Sequence, residues 1–386
     1  MKMKRCLAFL MVLLIGLLSG GCGRQPPKPS SVVSKITAPS SAVASSSSAA
    51  QKIPGTAGWP TTEWSESSPE QQGMSTAKLL KVEGRIRDNY PNLYSLLVVR
   101  HGFLVYEKYY GGMNRDSANP VYSVTKSITS ALTGIAIQKK LIQGVSQRVA
   151  DLLPEYFANV DNQKKTRITV ENILTMMGGL RSIDSGYAAY FQSSDWVQAA
   201  IDQPLTNQPG TKFQYNTGLP QFLSAAISKT SGMDMRKFAE ENLFSKIGMK
   251  VGDWARDSKG CCGGGFGLSL TPRDMAKFGY LYLHNGKWSG EQIIPKDWIQ
   301  TSTHKHVAVD KNNDYGYLFW IQEAFRSKDG KSRLVYYASG YGGQIIMMIP
   351  DLDMVTVVTA SAAGKSKDGE DTLGLISEYV VPAVVR

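Results

Sequence analysis

In VYSVTKSITSALTGIAIQ, residues 121–138, Ser123 precedes Lys126 by three positions at the front of an apolar run with helical spacing. Residues three apart share one face of a helix, so a hydroxyl and an amine so spaced can come within hydrogen-bond reach. The chemistry on offer is nucleophilic: an uncharged amine can take the proton of a serine that attacks a carbonyl carbon. A lysine near its ordinary pKa is charged at neutral pH and cannot do so. Bringing it to about 7 or 8 takes roughly 3 to 4 kcal/mol of desolvation or like-charge pressure. Val124, Ile128, Leu132 and Ile135 make an apolar stripe that offers such a setting. Asn119-Pro120 disfavours an earlier helical start, which puts Ser123 in the first turn, where unpaired amides favour developing negative charge. Spacing alone is a weak sign. Ser75 and Lys78 repeat it at the head of AKLLKVEGRI, where a solvated pair at a polar helix start is the better reading.

Two other segments carry chemistry. In PGTKFQYNTG, residues 209–218, Tyr215 sits on a loop between Pro209-Gly210 and Thr217-Gly218. A phenol there can relay a proton if positive neighbours lower its pKa; the plain alternative is a packed ring, as expected for Phe213. In YYASGYGGQIIMMIP, Ala338, Ser339 and Gly340 end one strand, and Tyr341, Gly342 and Gly343 turn into the next. Glycine lets a ligand or another backbone approach that edge closely. The backbone amides of Ser123 and Tyr341 are the expected oxyanion hole, and Asn216, Thr217, Ser339 and Gly340 the expected substrate contacts. A Ser-His-Asp arrangement is disfavoured: the histidines are His101, His284, His304 and His306, and no Gly-x-Ser-x-Gly elbow occurs. His304 and His306 could pair on a metal, yet THKHVAVDKNND reads as a solvated loop, so neither metal nor cofactor is expected.

The elements that must position these residues are β-rich at both ends of the chain. SLLVVRHGFLVYEKYY, residues 95–110, reads as a hairpin about His101-Gly102, and strands are expected over 333–339, 344–349 and 354–360. Between them, 123–139, 169–177, 195–202, 219–231, 234–246, 272–285 and 295–301 read as helices. The expected fold class is α/β in the α+β sense: an antiparallel sheet built from both chain ends and flanked by helices, with a mostly helical insertion. Within a domain spanning 61–386, the sheet subdomain covers about 61–122 and 286–386, and the helical subdomain about 123–285. A chain of 386 residues exceeds the size at which one core stops growing, which also favours two subdomains.

The net charge of +11 invites a nucleic-acid reading, but residues 1–60 hold seven Lys or Arg and no acid, leaving +4 for the other 326 residues. No basic stripe or nucleic-acid motif is present, and that class of partner is excluded. Lys2, Lys4 and Arg5 precede LAFLMVLLIGLL and then SGGC, in the order of a secretory signal. Residues 1–22 are therefore expected to direct export, with Cys22 lipidated and the mature chain held at the cell envelope. The Ser/Pro-rich stretch 23–60 reads as a disordered tether. Beyond the signal only the adjacent Cys261 and Cys262 remain, so no disulfide framework exists.

Taken in order, these pieces resemble the serine β-lactamase and penicillin-binding-protein superfamily. The nearest branch is that of class C-like β-lactamases, family VIII esterases and 6-aminohexanoate-dimer hydrolases. SVTKSITSALTGIAIQ resembles the nucleophile helix, ITVENILTMMGGL the segment after it, FQYNTG the tyrosine motif and YASGYGGQ the third motif. GGGFGLSLTPRDMAKFGYLYLHNGKWSGEQIIPKDWI resembles a pattern typical of the branch. The resemblance implies an acyl-enzyme on Ser123, with Lys126 and Tyr215 sharing proton transfer. Two positions depart from it: Ala338 stands where β-lactamases have a carboxylate-binding lysine, and Thr217 where the tyrosine motif has Asn. Both departures point away from efficient β-lactam hydrolysis and towards an esterase, amidase or peptidase. The competing expectations are a D-alanyl-D-alanine peptidase or weak β-lactamase, and a non-catalytic envelope binding lipoprotein. Loops 181–194 and 303–314 are expected to set the pocket.

Overall fold

The computed structural model describes residues 57–362 and 372–386. The signal segment, Cys22 and the tether as far as residue 56 lie outside the described residues.

An eight-stranded antiparallel sheet is built from β1 (Leu93–Arg100), β2 (Phe103–Tyr109), β3 (Val307–Ala308), β4 (Asp314–Tyr315), β5 (Trp320–Arg326), β6 (Ser332–Gly340), β7 (Gln344–Ile349) and β8 (Met354–Ala360). Its order is β2-β1-β8-β7-β6-β5-β4-β3, so the two ends of the chain meet at the β1–β8 seam, where Val98 faces Thr356. His101 and Gly102 close the first hairpin with φ of 50° and 79°. Positive φ at both central residues is what a two-residue turn needs to match the twist of its strands. Both faces of the central strands are covered, so they read as apolar runs rather than as alternation. Leu97, Val99, Ile346, Met348, Val355 and Val357 belong to the core on one side; Leu96, Val98, Ile345, Met347, Met354 and Val358 belong to the core on the other.

The helices used below are α1 (Lys81–Asn89), α2 (Val124–Gln138), α3 (Val170–Leu174), α4 (Tyr187–Gln192), α5 (Trp196–Ile201), α6 (Leu219–Ser231), α7 (Pro272–Leu283) and α8 (Lys296–Ser302). α7 packs on β7 and β8. A side chain at Gly279 would lie 2.6 Å from Val355 and 2.8 Å from Ile346, so glycine there sets how closely helix and sheet approach. On the other face, Val82 and Ile86 of α1 join Leu375, Ile376, Val380 and Val381 from the C-terminal segment. Ser75 proves to be a helix cap: its hydroxyl accepts the Lys78 amide at 3.3 Å, which accounts for the second Ser-x-x-Lys without any chemistry.

Several elements differ from the sequence reading, among them the short β3 and β4 at the segment read as loop 303–314. The expected helix 234–246 is α-helical only over Met235–Ala239, then widens to a π turn at Glu240–Phe244 and tightens to 3-10 at Ser245–Ile247. β5 is absent from the sequence reading: in WIQEAFR only Ile321 and Phe325 are buried, while Glu323, Ala324 and Arg326 are exposed, which leaves little apolar signal. α4 lies inside the segment read as a loop. It has six residues and is fixed by aromatic packing rather than by helical periodicity.

Candidate active site

α2 is buried on every side from Val124 to Ala136, although six of those residues are Thr, Ser or Lys. Such a helix is stable only if its polar groups find partners. Thr129 donates to the Gly264 carbonyl at 2.7 Å, Ser127 to that of Leu318 at 2.7 Å, and Thr133 to that of Thr129 at 2.8 Å. At the head of the helix Tyr122 takes φ of 50°, a conformation costly for a non-glycine residue, and Ser123 follows as the N-terminal cap residue.

Lys126 is 1% exposed, and its Nζ has three neighbours: Ser123 Oγ at 2.8 Å, Thr217 Oγ1 at 3.0 Å and the Gly265 carbonyl at 2.9 Å. Burial drives its pKa down from 10.5 to about 7, against a smaller upward pull from the Asp184 carboxylate. A neutral amine offers two N–H donors and one lone pair. The Gly265 carbonyl can only accept and Thr217 can accept as well, which leaves the lone pair free for the Ser123 proton. The carbonyl is held in place by its neighbours. Gly264 lies so close to α6 that an added side chain would fall 2.0 Å from the Pro220 carbonyl oxygen. Gln221 of α6 accepts from the Gly264 amide at 3.0 Å and donates to the Cys262 carbonyl at 3.1 Å. Cys261 and Cys262 are free thiols; burial pushes that of Cys261 up to about 12, which leaves it unreactive.

Tyr215 is brought to the same place. The Lys126 amine lies 4.9 Å from its ring centre, and the ring stacks on Trp320 at 5.9 Å. Positive neighbours do not lower its pKa. Burial raises the phenol well above its ordinary value; a hydrogen bond to Ser123 pulls down, while Asp184 and Tyr187 push further up. The amine beside it, that of Lys126, is itself close to neutral and compensates little.

Of the expected substrate contacts, Thr217 is in the cluster. Besides accepting from Lys126 it lies 3.2 Å from the Tyr187 hydroxyl, and its amide donates to Asp184 Oδ1 at 3.2 Å. Asn216 is a correction. It is 2% exposed, accepts from the amides of Gly218 and Ile183 and donates to the carbonyls of Leu180 and Arg181. Two acceptances and two donations saturate an amide side chain, so Asn216 braces the loop behind the site and has nothing left for a substrate. Ser339 and Gly340 end β6, paired with Ile345 and Gln344. A side chain at Gly340 would lie 2.2 Å from the Val121 carbonyl oxygen, so this glycine lets the third motif press against the turn that carries Ser123. Tyr341 follows, 57% exposed, with its ring 5.8 Å from that of Tyr122. Its ring thus lies against that of the residue preceding Ser123. Asp184 was not singled out from sequence: its capping serine, Ser182, is two residues away, but its nearness to Thr217 is a tertiary fact. A hollow of about 480 Å³ lined by Gly134, Trp298 and Tyr317, among others, opens at the far end of α2 and touches none of these residues.

The fold and the cluster can be set against known proteins. The model of the beta-lactamase family matches residues 91–380. The chain belongs to that family. Solved structures of similar fold include a hydrolase with promiscuous acyltransferase activity, at 15% identity and a TM-score of 0.65 over 80% of this chain and 98% of its own. The chain is 22% identical over 305 residues to a protein of Alkalihalophilus pseudofirmus without an assigned activity, covering 74% of this chain and 88% of that one. It is 24% identical over 213 residues to a Salmonella typhimurium protein provisionally named a D-alanyl-D-alanine carboxypeptidase, covering 47% of this chain and 49% of that one. Among solved structures, a protein of Bacillus anthracis provisionally named a 6-aminohexanoate-dimer hydrolase superposes with a TM-score of 0.67 at 21% identity, over 82% of this chain and 87% of its own. At that identity the likeness establishes the fold.

Proposed function

We propose that this protein is an exported, lipid-anchored serine hydrolase that cleaves ester or amide bonds of a small substrate through an acyl-enzyme on Ser123. The observation that carries the reading is the buried Lys126 amine, poised near neutrality and hydrogen-bonded to Ser123 at 2.8 Å. In the first half-reaction Ser123 Oγ bonds to the substrate carbonyl carbon while its proton passes to Lys126. The carbonyl oxygen becomes an oxyanion in front of the Ser123 and Tyr341 amides. Collapse of the intermediate expels the alcohol or amine, which takes a proton from the Lys126–Tyr215 pair. Because burial keeps the phenol protonated, Tyr215 is assigned the relay to the leaving group and Lys126 the role of base. Water then attacks the acyl-enzyme by the reverse proton path.

Thr217, Ser339 and Gly340 are assigned to the substrate edge of the site. Ala338, buried in β6 where a carboxylate-binding lysine would stand, offers no cation for β-lactams or for peptides ending in D-alanine. Small neutral esters and amides are therefore preferred. The signal-like segment and Cys22 support a location at the extracytoplasmic face of a membrane, with residues 23–60 as the spacer.

A fluorophosphonate probe tests the assignment. Wild-type protein should be labelled, Ser123→Ala should not, and Lys126→Ala and Tyr215→Phe should each lose most of the labelling rate while remaining folded. Undiminished labelling of Ser123→Ala would refute the nucleophile. No labelling of wild type, together with no turnover of nitrophenyl esters or of a chromogenic cephalosporin, would favour a binding lipoprotein.

A further inference from the structure

Beside the Ser123–Lys126–Thr217 cluster runs a row of aromatic rings that the proton chemistry does not use. Tyr187 and Phe191, four residues apart on α4, stack with ring centres 5.4 Å apart and planes 2° from parallel. Phe191 meets Phe266 edge-on at 4.7 Å, and Phe266 follows Gly265, whose carbonyl accepts from Lys126. At the other end of the row the Tyr187 hydroxyl lies 3.2 Å from Thr217 Oγ1, the second acceptor for Lys126. The row thus begins at both partners of the proposed base and leads outward. It is rooted from beneath by the buried Tyr190 and Trp196, with Trp196 4.8 Å from Phe266.

Its outer faces remain in water: Tyr187 is 40% and Phe191 41% exposed. A single exposed ring needs no explanation. Two stacked rings, continuous with a third and tied to a hydroxyl of the site, form an apolar patch at a reactive centre, where such patches serve ligands. The charge around it selects further. The Asp184 carboxylate stands at the same edge, accepting from the Thr217 amide. Basic groups on adjoining segments are engaged elsewhere: Lys259 with Asp195 at 2.6 Å, and Arg181 with Gln203 at 3.1 Å. An anionic group is repelled here, and a neutral ring finds three aromatic partners.

We propose that Tyr187, Phe191 and Phe266 form the subsite for an uncharged, ring-bearing group of the substrate, so that aryl-substituted neutral esters or amides are the preferred class. The subsite rests on the hydrolase reading above. It is tested by kcat/KM ratios in the full-length protein. One arm varies the acyl part (4-nitrophenyl phenylacetate against 4-nitrophenyl acetate); the other varies the alcohol (benzyl against ethyl acetate). Intrinsic reactivity cancels between protein variants. In at least one arm the ring-over-alkyl ratio should fall about tenfold in Phe191→Ala and in Tyr187→Ala, the scale of one lost ring stack plus its buried area. It should survive in Tyr187→Phe, which keeps the ring. 4-Nitrophenyl hemisuccinate should be a poorer substrate than the acetate in wild type. Ratios unchanged in both arms for both alanine variants would overturn the subsite, whereas a fall in either arm supports it and identifies the part of the substrate bound. Failure of the hydrolase reading is told apart by calorimetry of benzyl phenylacetate on Ser123→Ala protein. Affinity that drops about tenfold on adding Phe191→Ala upholds the subsite even without turnover, and unaltered affinity removes it.

Discussion

The proposed base should be a measurable burden on the fold. Lys126 loses its charge in the folded protein at about pH 7, against 10.5 when exposed. Between these values the unfolded chain holds one proton more than the folded one, so folding stability gains about 1.4 kcal/mol per pH unit as pH rises. The penalty is absent above pH 10.5 and levels off below pH 7 at about 5 kcal/mol. Lys126→Met removes the titration while nearly keeping the volume, at the loss of three hydrogen bonds worth about 1 kcal/mol each. The variant should therefore be about 2 kcal/mol more stable than wild type at pH 6 to 7. It should be about 3 kcal/mol less stable near pH 10.5, with the two curves crossing at about pH 8.5. Urea unfolding of both proteins across that range reads the difference directly, because other groups titrate alike in each. The rate of Ser123 labelling should rise through the same midpoint of about 7, being lost as pH falls. Parallel stability profiles, or a labelling midpoint near 10, would refute the burial argument for a neutral lysine.

Asp184→Asn removes the carboxylate that pulls the Lys126 pKa upward, so the labelling midpoint should move to lower pH; an unmoved or higher midpoint contradicts the placement. Asn216→Ala breaks four hydrogen bonds to backbone and should cost about 2 to 4 kcal/mol in urea unfolding. Unaltered stability with a raised KM would instead mark a substrate contact. Gly340→Ala forces β6 away from the Val121 carbonyl and should lower stability by about 2 kcal/mol or more while slowing Ser123 labelling, as read by thermal unfolding and probe kinetics. Full labelling by a stable Gly340→Ala protein would show that the turn before Ser123 does not depend on that contact.

How much of this was legible in advance follows from the range of the interactions. α6 and β8 match the expected 219–231 and 354–360 to the residue, and the His101-Gly102 hairpin falls where expected, because apolar runs, glycine and proline act over a few positions. Ser123, Lys126 and Tyr215 could be named because their residue types and local contexts carry the chemistry, and the resemblance of ordered segments added the fold. The brace formed by Asn216, the direction of the Tyr215 shift, the carboxylate of Asp184 and the aromatic row on α4 could not be read that way. Each depends on which groups from distant segments share one small volume, and on how much water is left there. Sequence determined which side chains could react. Only the packing of α2 against α6, the Gly263–Gly265 segment and the end of β6 decided that one amine would be stripped of solvent. Desolvation belongs to an enclosure, and no single stretch of chain encloses itself.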